Sequence, residues 1–187
     1  MRKKKPNMFF RRLVTLTILG ILIMMIPAML LNNGTNTNVN TKEDYIESTK
    51  SLAISVSKKS GLFPSVTLAQ SALESNFGRS ELSTKYNNYF GIKAKSGGVE
   101  LETKEYENGV EKSVLEPFKK YDSKKDSFKD YARLISTADR YKKVMEAKDY
   151  KEAITLIKDC GYATDPNYAS KVIEIIENYN LTELDGE

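Results

Sequence analysis

Pro64-Ser65-Val66-Thr67-Leu68-Ala69-Gln70-Ser71-Ala72-Leu73-Glu74-Ser75-Asn76-Phe77-Gly78 reads as an apolar helix that runs out into an acid and a glycine. Pro64 suits the first helical turn, where its missing N–H costs no hydrogen bond. The spacing then places Val66, Ala69, Leu73 and Phe77 on one face, which predicts a helix turned towards a core and stopping near Gly78. Glu74 falls inside this apolar frame. A carboxyl group half enclosed by apolar neighbours has a raised pKa and holds a proton near neutrality, as a general acid requires. An isolated glutamate at a helix end is ordinarily solvated. Composition and the neighbouring motifs decide against that reading here.

The 187 residues contain no histidine and a single cysteine, Cys160. A Ser-His-Asp triad, a Cys-His pair and the usual zinc sites are therefore excluded, which leaves carboxylates as the proton handlers. Cys160 cannot form an internal disulfide and is expected to be a small buried residue near a helix end.

Outward from the opening stretch, the domain reads as mostly helix with one hairpin. Thr41 can cap a helix in which Tyr45, Thr49, Leu52, Ala53 and Val56 share a face and which ends at Gly61. Ser123 and Asp126 have the spacing of a capping box ahead of Phe128, Tyr131, Ala132 and Ile135. Further helices fit Tyr150 to Asp159, closed by Gly161, and Asn167 to Tyr179, with Tyr168, Val172, Ile175, Ile176 and Tyr179 inward. Between them the period falls to two. Val99, Leu101, Thr103 and Glu105 alternate with Glu100, Glu102, Lys104 and Tyr106, Asn108-Gly109 supplies a tight turn, and Val110 to Phe118 returns. The alternation sets Glu105 on the inward face, where an acid is costly without a partner or a task.

The N-terminal region is read as an address. Residues 1–12 form a basic cytoplasmic flank carrying Arg2, Lys3, Lys4, Lys5, Arg11 and Arg12. The uncharged stretch 13–31 is long enough for a transmembrane signal anchor, at about 1.5 Å per residue across a bilayer core of roughly 30 Å. The basic flank orients the remainder outward. Ile26-Pro27-Ala28 is only a fair cleavage site, so the expectation is a retained anchor, with secretion after cleavage as the alternative. Residues 32–40, rich in Asn, Thr and Gly, read as a flexible tether, and 41–187 as one domain. Six of the 29 Lys and Arg lie in the flank, leaving 23 against 25 Asp and Glu. The overall charge of +4 thus belongs to the flank, and no nucleic-acid partner is implied.

Four motifs in order resemble the glucosaminidase domain of glycoside hydrolase family 73. They are Ala69-Gln70-Ser71-Ala72-Leu73-Glu74-Ser75, Asn88-Tyr89-Phe90-Gly91-Ile92-Lys93, Thr103-Lys104-Glu105-Tyr106-Glu107-Asn108-Gly109 and Gly161-Tyr162-Ala163-Thr164-Asp165-Pro166-Asn167-Tyr168-Ala169. The resemblance implies an α+β, mainly α fold similar to lysozyme, with a helical lobe and a small β-hairpin lobe, preceded here by the N-terminal transmembrane helix. It makes Glu74 the general acid and Glu105 the second carboxylate, which activates water or stabilises an oxocarbenium-like transition state. It places Tyr162 facing the cleft, with Asn88 and Phe90 in the loop that lines it, as substrate-binding positions. The implied substrate is the peptidoglycan glycan strand, cut on the reducing side of N-acetylglucosamine, by a monomeric catalytic domain with no metal or organic cofactor.

One position departs from the family: many members have tryptophan where this chain has Phe77, so a smaller ring is expected beneath Glu74 or against sugar. Two carboxyl groups flanking the scissile bond, one kept protonated by an apolar pocket, also meet the general need of glycoside hydrolysis. Sequence leaves the separation of Glu74 and Glu105 open, and with it retention, inversion or attack by the substrate's own acetamido group. Two rival readings share the sequence features: a muramidase or lytic transglycosylase of lysozyme-like fold, and a non-catalytic wall-binding module.

Overall fold

A computed structural model describes residues 41–107 and 110–186. The basic flank, anchor and tether expected over 1–40 lie outside the described residues, as does the expected Asn108-Gly109 turn. Among the described residues, no helix is long and apolar enough to cross a membrane.

The first helix, α1 (Lys42–Ser60), begins and ends where its caps dictate. Thr41 Oγ1 accepts from the Asp44 N–H at 3.1 Å while Asp44 Oδ2 accepts from the Thr41 N–H at 2.9 Å, and Gly61 closes the helix with φ of 70°. This reciprocal box satisfies two of the otherwise orphaned donors of the first turn. Its buried face holds Tyr45, Ile46, Thr49, Ala53, Val56 and Ser57, with Leu52 only half-buried.

The second helix, α2 (Pro64–Glu74), differs from the expected amphipathic stripe. Every residue from Pro64 to Ala72 is buried, so the helix has no solvent face along most of its length. α1 packs on one side, and a later helix and a C-terminal turn on others. Small side chains (Ser65, Thr67, Ala69, Ser71, Ala72) let these neighbours close in, and the polar ones are all partnered. Ser57 Oγ donates to Thr67 Oγ1 at 2.8 Å, and Tyr45 Oη to Ser71 Oγ at 3.1 Å. Asp185 accepts from both the N–H and the hydroxyl of Ser65, at 2.9 and 2.6 Å, placing a carboxylate at the positive end of the helix.

α2 ends at Glu74 itself, four residues before the expected stop. Asn76 and Phe77 both have left-handed φ angles, 49° and 54°, ahead of Gly78 at 73°. This turn carries Phe77 into a cluster with Tyr45 and Tyr179, at ring separations of 6.2 and 5.8 Å, rather than beneath Glu74 or into the cleft.

The remaining elements are α3 (Glu81–Tyr86), β1 (Val99–Glu107), β2 (Val110–Phe118), α4 (Lys124–Thr137), a 3-10 segment (Asp139–Glu146), α5 (Tyr150–Asp159), α6 (Tyr168–Asn178) and a second 3-10 segment (Leu181–Gly186). Ser123 caps α4 as its sequence implies, and the expected Phe128, Tyr131, Ala132 and Ile135 are its buried residues, with Ser127. β1 and β2 pair antiparallel, from Val99 opposite Phe118 to Glu107 opposite Val110. Val99, Leu101, Thr103 and Glu105 are half-buried while Glu100, Glu102 and Lys104 are exposed, as expected, but Tyr106, expected to face outward, is half-buried where its N–H meets the Thr164 hydroxyl. The described fold is mainly helical with this small sheet. Cys160, expected to be buried, is half-buried at the end of α5.

The loop between α3 and β1 feeds the core. Phe90, only 1% exposed, stacks on Tyr131 with centroids 4.0 Å apart and meets Phe128 edge-on at 4.7 Å. Truncating a ring so enclosed removes its transfer free energy and leaves a cavity. Phe90→Ala is therefore expected to lower stability by about 3–5 kcal/mol, read as a shift of the denaturant midpoint with an unchanged slope.

Candidate active site

Glu74 stands at the C-terminus of α2, where the helix leaves the core. Burial pushes its carboxyl up to about 7; the Tyr168 hydroxyl, donating to Oε1 at 2.8 Å, pulls it down, and the charge of Glu105 pushes it up. Desolvation dominates because the charged form loses water that one hydroxyl cannot replace. Gly91 gives the other oxygen its space: a Cβ there would lie 3.3 Å from Glu74 Oε2, at a φ of 61°.

Glu105 has the opposite environment. Burial pushes its carboxyl up, but hydrogen bonds from Lys93 and Thr164, with the Lys93 charge, outweigh that and hold it below the usual range. Lys93 Nζ lies 2.8 Å from Oε1 and the Thr164 hydroxyl donates to Oε2 at 2.6 Å. The Thr164 hydroxyl also accepts from the Tyr106 N–H at 3.0 Å, so one side chain straps β1 to the loop after α5. Lys93 also reaches Glu116 on β2 at 3.2 Å. The inward-facing acid thus has its partners, and two carboxyl groups with separated proton affinities face one space, as acid–base pairs require.

That space is an open cleft of about 1180 Å³, walled by Glu74, Glu105, Leu101, Thr103, Tyr162 and Lys171 among others. It exceeds the roughly 300–1,000 Å³ of typical small-molecule pockets and suits an extended polymer. Among the described residues, no cluster of three or more Asp, Glu and Cys side chains is arranged to hold a metal ion.

The other expected site residues fall differently. Asn88 is 1% exposed and does not reach the cleft surface. Its Nδ2 donates to the carbonyls of Ile92 and Lys119, both at 3.0 Å, and its Oδ1 accepts from the N–H groups of Phe90 and Ile92. All its hydrogen-bonding capacity goes to folding the loop that presents Gly91, because an amide can mimic a backbone partner at such a turn. Phe90 is part of the cleft lining, as expected, but its ring is enclosed in the core. Tyr162 borders the cleft half-buried, its ring against Tyr168 and its hydroxyl given to the Phe90 carbonyl at 2.8 Å. Sequence reasoning assigned Tyr168 to the core stripe of α6 and left Lys93, Gly91 and Thr164 without a role. Each lies within a motif already singled out, but only folding shows that they converge on the two acids.

A protonatable glutamate on a buried helix and an ionised glutamate on a β-hairpin, sharing a polymer-sized cleft, define a glycosidase-type enzyme. The sequence signature described as mannosyl-glycoprotein endo-beta-N-acetylglucosaminidase matches residues 50–181. Exo-glucosaminidase LytG of Bacillus subtilis is 36% identical over 98% of this chain and 67% of its own length. A probable N-acetylmuramidase of Lactococcus lactis is 40% identical over 79% of this chain, which spans 36% of that relative. The catalytic domain of the autolysin Auto from Listeria monocytogenes is structurally similar, with a TM-score of 0.65 and 34% identity over 98% of this chain and 100% of the domain. The chain belongs to the glucosaminidase family, glycoside hydrolase family 73.

The raised affinity of Glu74 for its proton is also a statement about stability. A folded-state pKa near 7 against 4.5 in the unfolded chain stabilises the fold fully below pH 4.5, and this stabilisation is lost as pH rises through 7. Glu74→Gln carries no such penalty at high pH. Relative to wild type it should gain stability between pH 4.5 and 7, by up to about 3 kcal/mol above pH 7, in thermal unfolding followed across that range.

Proposed function

We propose that this protein hydrolyses peptidoglycan glycan strands, cutting the β-1,4 bond on the reducing side of N-acetylglucosamine, next to N-acetylmuramic acid. The observation that carries the reading is one cleft holding both a carboxyl group kept near pH 7 by burial and a carboxylate kept ionised by Lys93 and Thr164. The naming of relatives as an exo-glucosaminidase and an autolysin supports the polymer and the bond. The open cleft favours internal cleavage of the strand over trimming from an end.

In this reading Glu74 gives its proton to the glycosidic oxygen as the bond to the anomeric carbon breaks, and the departing fragment leaves as an alcohol. Positive charge spreads over the anomeric carbon and ring oxygen, and ionised Glu105 offsets it. Water completes the reaction in one of two ways. In one, water bonds to the anomeric carbon as Glu105 takes its proton. In the other, the substrate's acetamido oxygen bonds to the anomeric carbon as the leaving group departs, and water then attacks that carbon, breaks the new C–O bond and gives its proton to the Glu74 carboxylate. A muramidase is the second reading, favoured by the name of the lactococcal relative.

Digesting purified peptidoglycan and identifying the new reducing sugar separates the two. N-acetylglucosamine at the new end supports the proposal; N-acetylmuramic acid, free or anhydro, overturns it in favour of the second reading. Glu74→Gln should lose on the order of 10² to 10⁴ in rate, the usual worth of general acid catalysis. Glu105→Gln should lose activity with little change in melting temperature, since its ion pair is partly exposed and such pairs contribute about 1 kcal/mol or less.

We further propose that residues 13–31 keep the domain at the membrane, as their uncharged run behind a basic flank suggests. Cell fractionation checks this: full-length protein should be found in the membrane fraction and be digested by protease added to wall-stripped cells. A shortened, released form would overturn it.

A further inference from the structure

The polar side chains inside the helical lobe form a directed line that ends on the acid. The Ser57 hydroxyl donates to Thr67 at 2.8 Å at the inner end of this line, near Tyr131. The Tyr131 hydroxyl donates to Gln70 Oε1, Gln70 Nε2 donates to the Tyr168 oxygen at 2.8 Å, and the Tyr168 hydroxyl donates to Glu74 Oε1 at 2.8 Å. Ser57, Thr67 and Gln70 are fully enclosed, and Tyr131 and Tyr168 are no more than 4% exposed. Packing alone gives no reason for a primary amide at the centre of a helix buried on all sides, where methionine would fill the same volume. Buried polar groups are kept only where they are fully partnered.

A tyrosine hydroxyl has one proton to give. Because the Gln70 amide already donates to the Tyr168 oxygen, the Tyr168 proton is committed to Glu74, and Oε1 acts only as an acceptor. The acid's own proton is then left on Oε2, the oxygen beside Gly91 in the cleft wall. The opposite amide orientation would draw the Tyr168 proton back to Gln70 and let Glu74 donate inward, away from any leaving group. We propose that Gln70, Tyr131 and Tyr168 are positioning residues that confine the proton of Glu74 to its cleft-facing oxygen.

Glu74 is faced by Tyr168 from α6, Tyr162 from the loop before it, Tyr131 from α4 and Glu105 from β1. Burial pushes the three phenols upward, so they stay neutral, and Glu105 stays ionised. Within this group, Glu74 is the one that titrates near neutrality.

The proposal rests on Glu74 being the general acid, so its test has one arm that needs no substrate. In the full-length protein with carbon-13 in its glutamate carboxyls, Glu74 should titrate near pH 7. In Tyr168→Phe, which removes a donor to the ionised form, the midpoint should rise by about one pH unit. In the activity arm, Gln70→Met should lower kcat on peptidoglycan about tenfold with KM unchanged, because part of the acid then points its proton inward. Gln70→Met combined with Tyr168→Phe should lose no more than Tyr168→Phe alone, since the line is already cut. Should Gln70→Met fail to fold, Tyr131→Phe cuts the same line and replaces it in the cycle. An unmoved Glu74 midpoint in Tyr168→Phe, or fully additive losses, would overturn the proposal. A moved midpoint in a protein with no glycanase activity would uphold the proton placement and overturn the hydrolase reading alone.

Discussion

The structure depends on the enclosure of α2. A helix buried from Pro64 to Ala72 has no water on any side, so each of its polar groups needs a protein partner, and its neighbours are fixed by which partners they bring. α1 brings Ser57 and Tyr45, α4 brings Tyr131, α6 brings Tyr168, and the C-terminal turn brings Asp185. These contacts do more than hold a core together. They fix the axis along which the last residue of the helix, Glu74, is delivered to the cleft wall, and they exclude the water that would otherwise return its carboxyl to an ordinary acidity.

The second carboxylate is placed by a different kind of constraint. β1 and β2 bury little, and their attachment to the helical lobe runs through polar contacts: the Thr164 strap, the Ala94 N–H to the Pro117 carbonyl at 2.8 Å, and the Lys119 N–H to the Ile92 carbonyl at 2.9 Å. Such contacts are individually small in water. The acid that keeps its proton near neutrality is therefore set in the most enclosed element, while the ionised acid sits on the more solvated one. The two residues are chemically identical, so the division follows from their surroundings: burial for Glu74, and the hydrogen bonds and charge of Lys93 with the hydroxyl of Thr164 for Glu105.

Much of this was legible in the sequence, for local reasons. Thr41, Gly61 and Ser123 announce helix ends because capping is a contest among nearby groups, and the period-two run from Val99 announces a strand because one of its faces is half-buried. Glu74 stood out as an acid in an apolar frame, and Glu105 as an acid on an inward face. The early stop of α2 was not legible: Asn76 and Phe77 enter the left-handed region without glycine, drawn by the Tyr45 and Tyr179 cluster, which is a tertiary effect. Nor were the roles of Asn88 and Phe90, since an Asn-Tyr-Phe-Gly loop reads the same whether its side chains face a ligand or fold the loop. Tyr168 was legible as buried, but its bond to Glu74 joins positions 94 apart and leaves no local trace.

That separation bears on the order in which the protein becomes active as it is made. A chain emerging from its N-terminus completes Pro64 to Glu74 long before Tyr168 and Asp185 exist, yet α2 needs the first to orient its acid and the second to cap its start. Contacts this distant in sequence form last, because closing such a loop costs entropy that only a nearly complete core recovers. Until then Glu74 is an ordinary solvated glutamate. Synthesis itself therefore acts as a delay, and the acid gains its unusual proton affinity only when nearly the whole domain is present to enclose it.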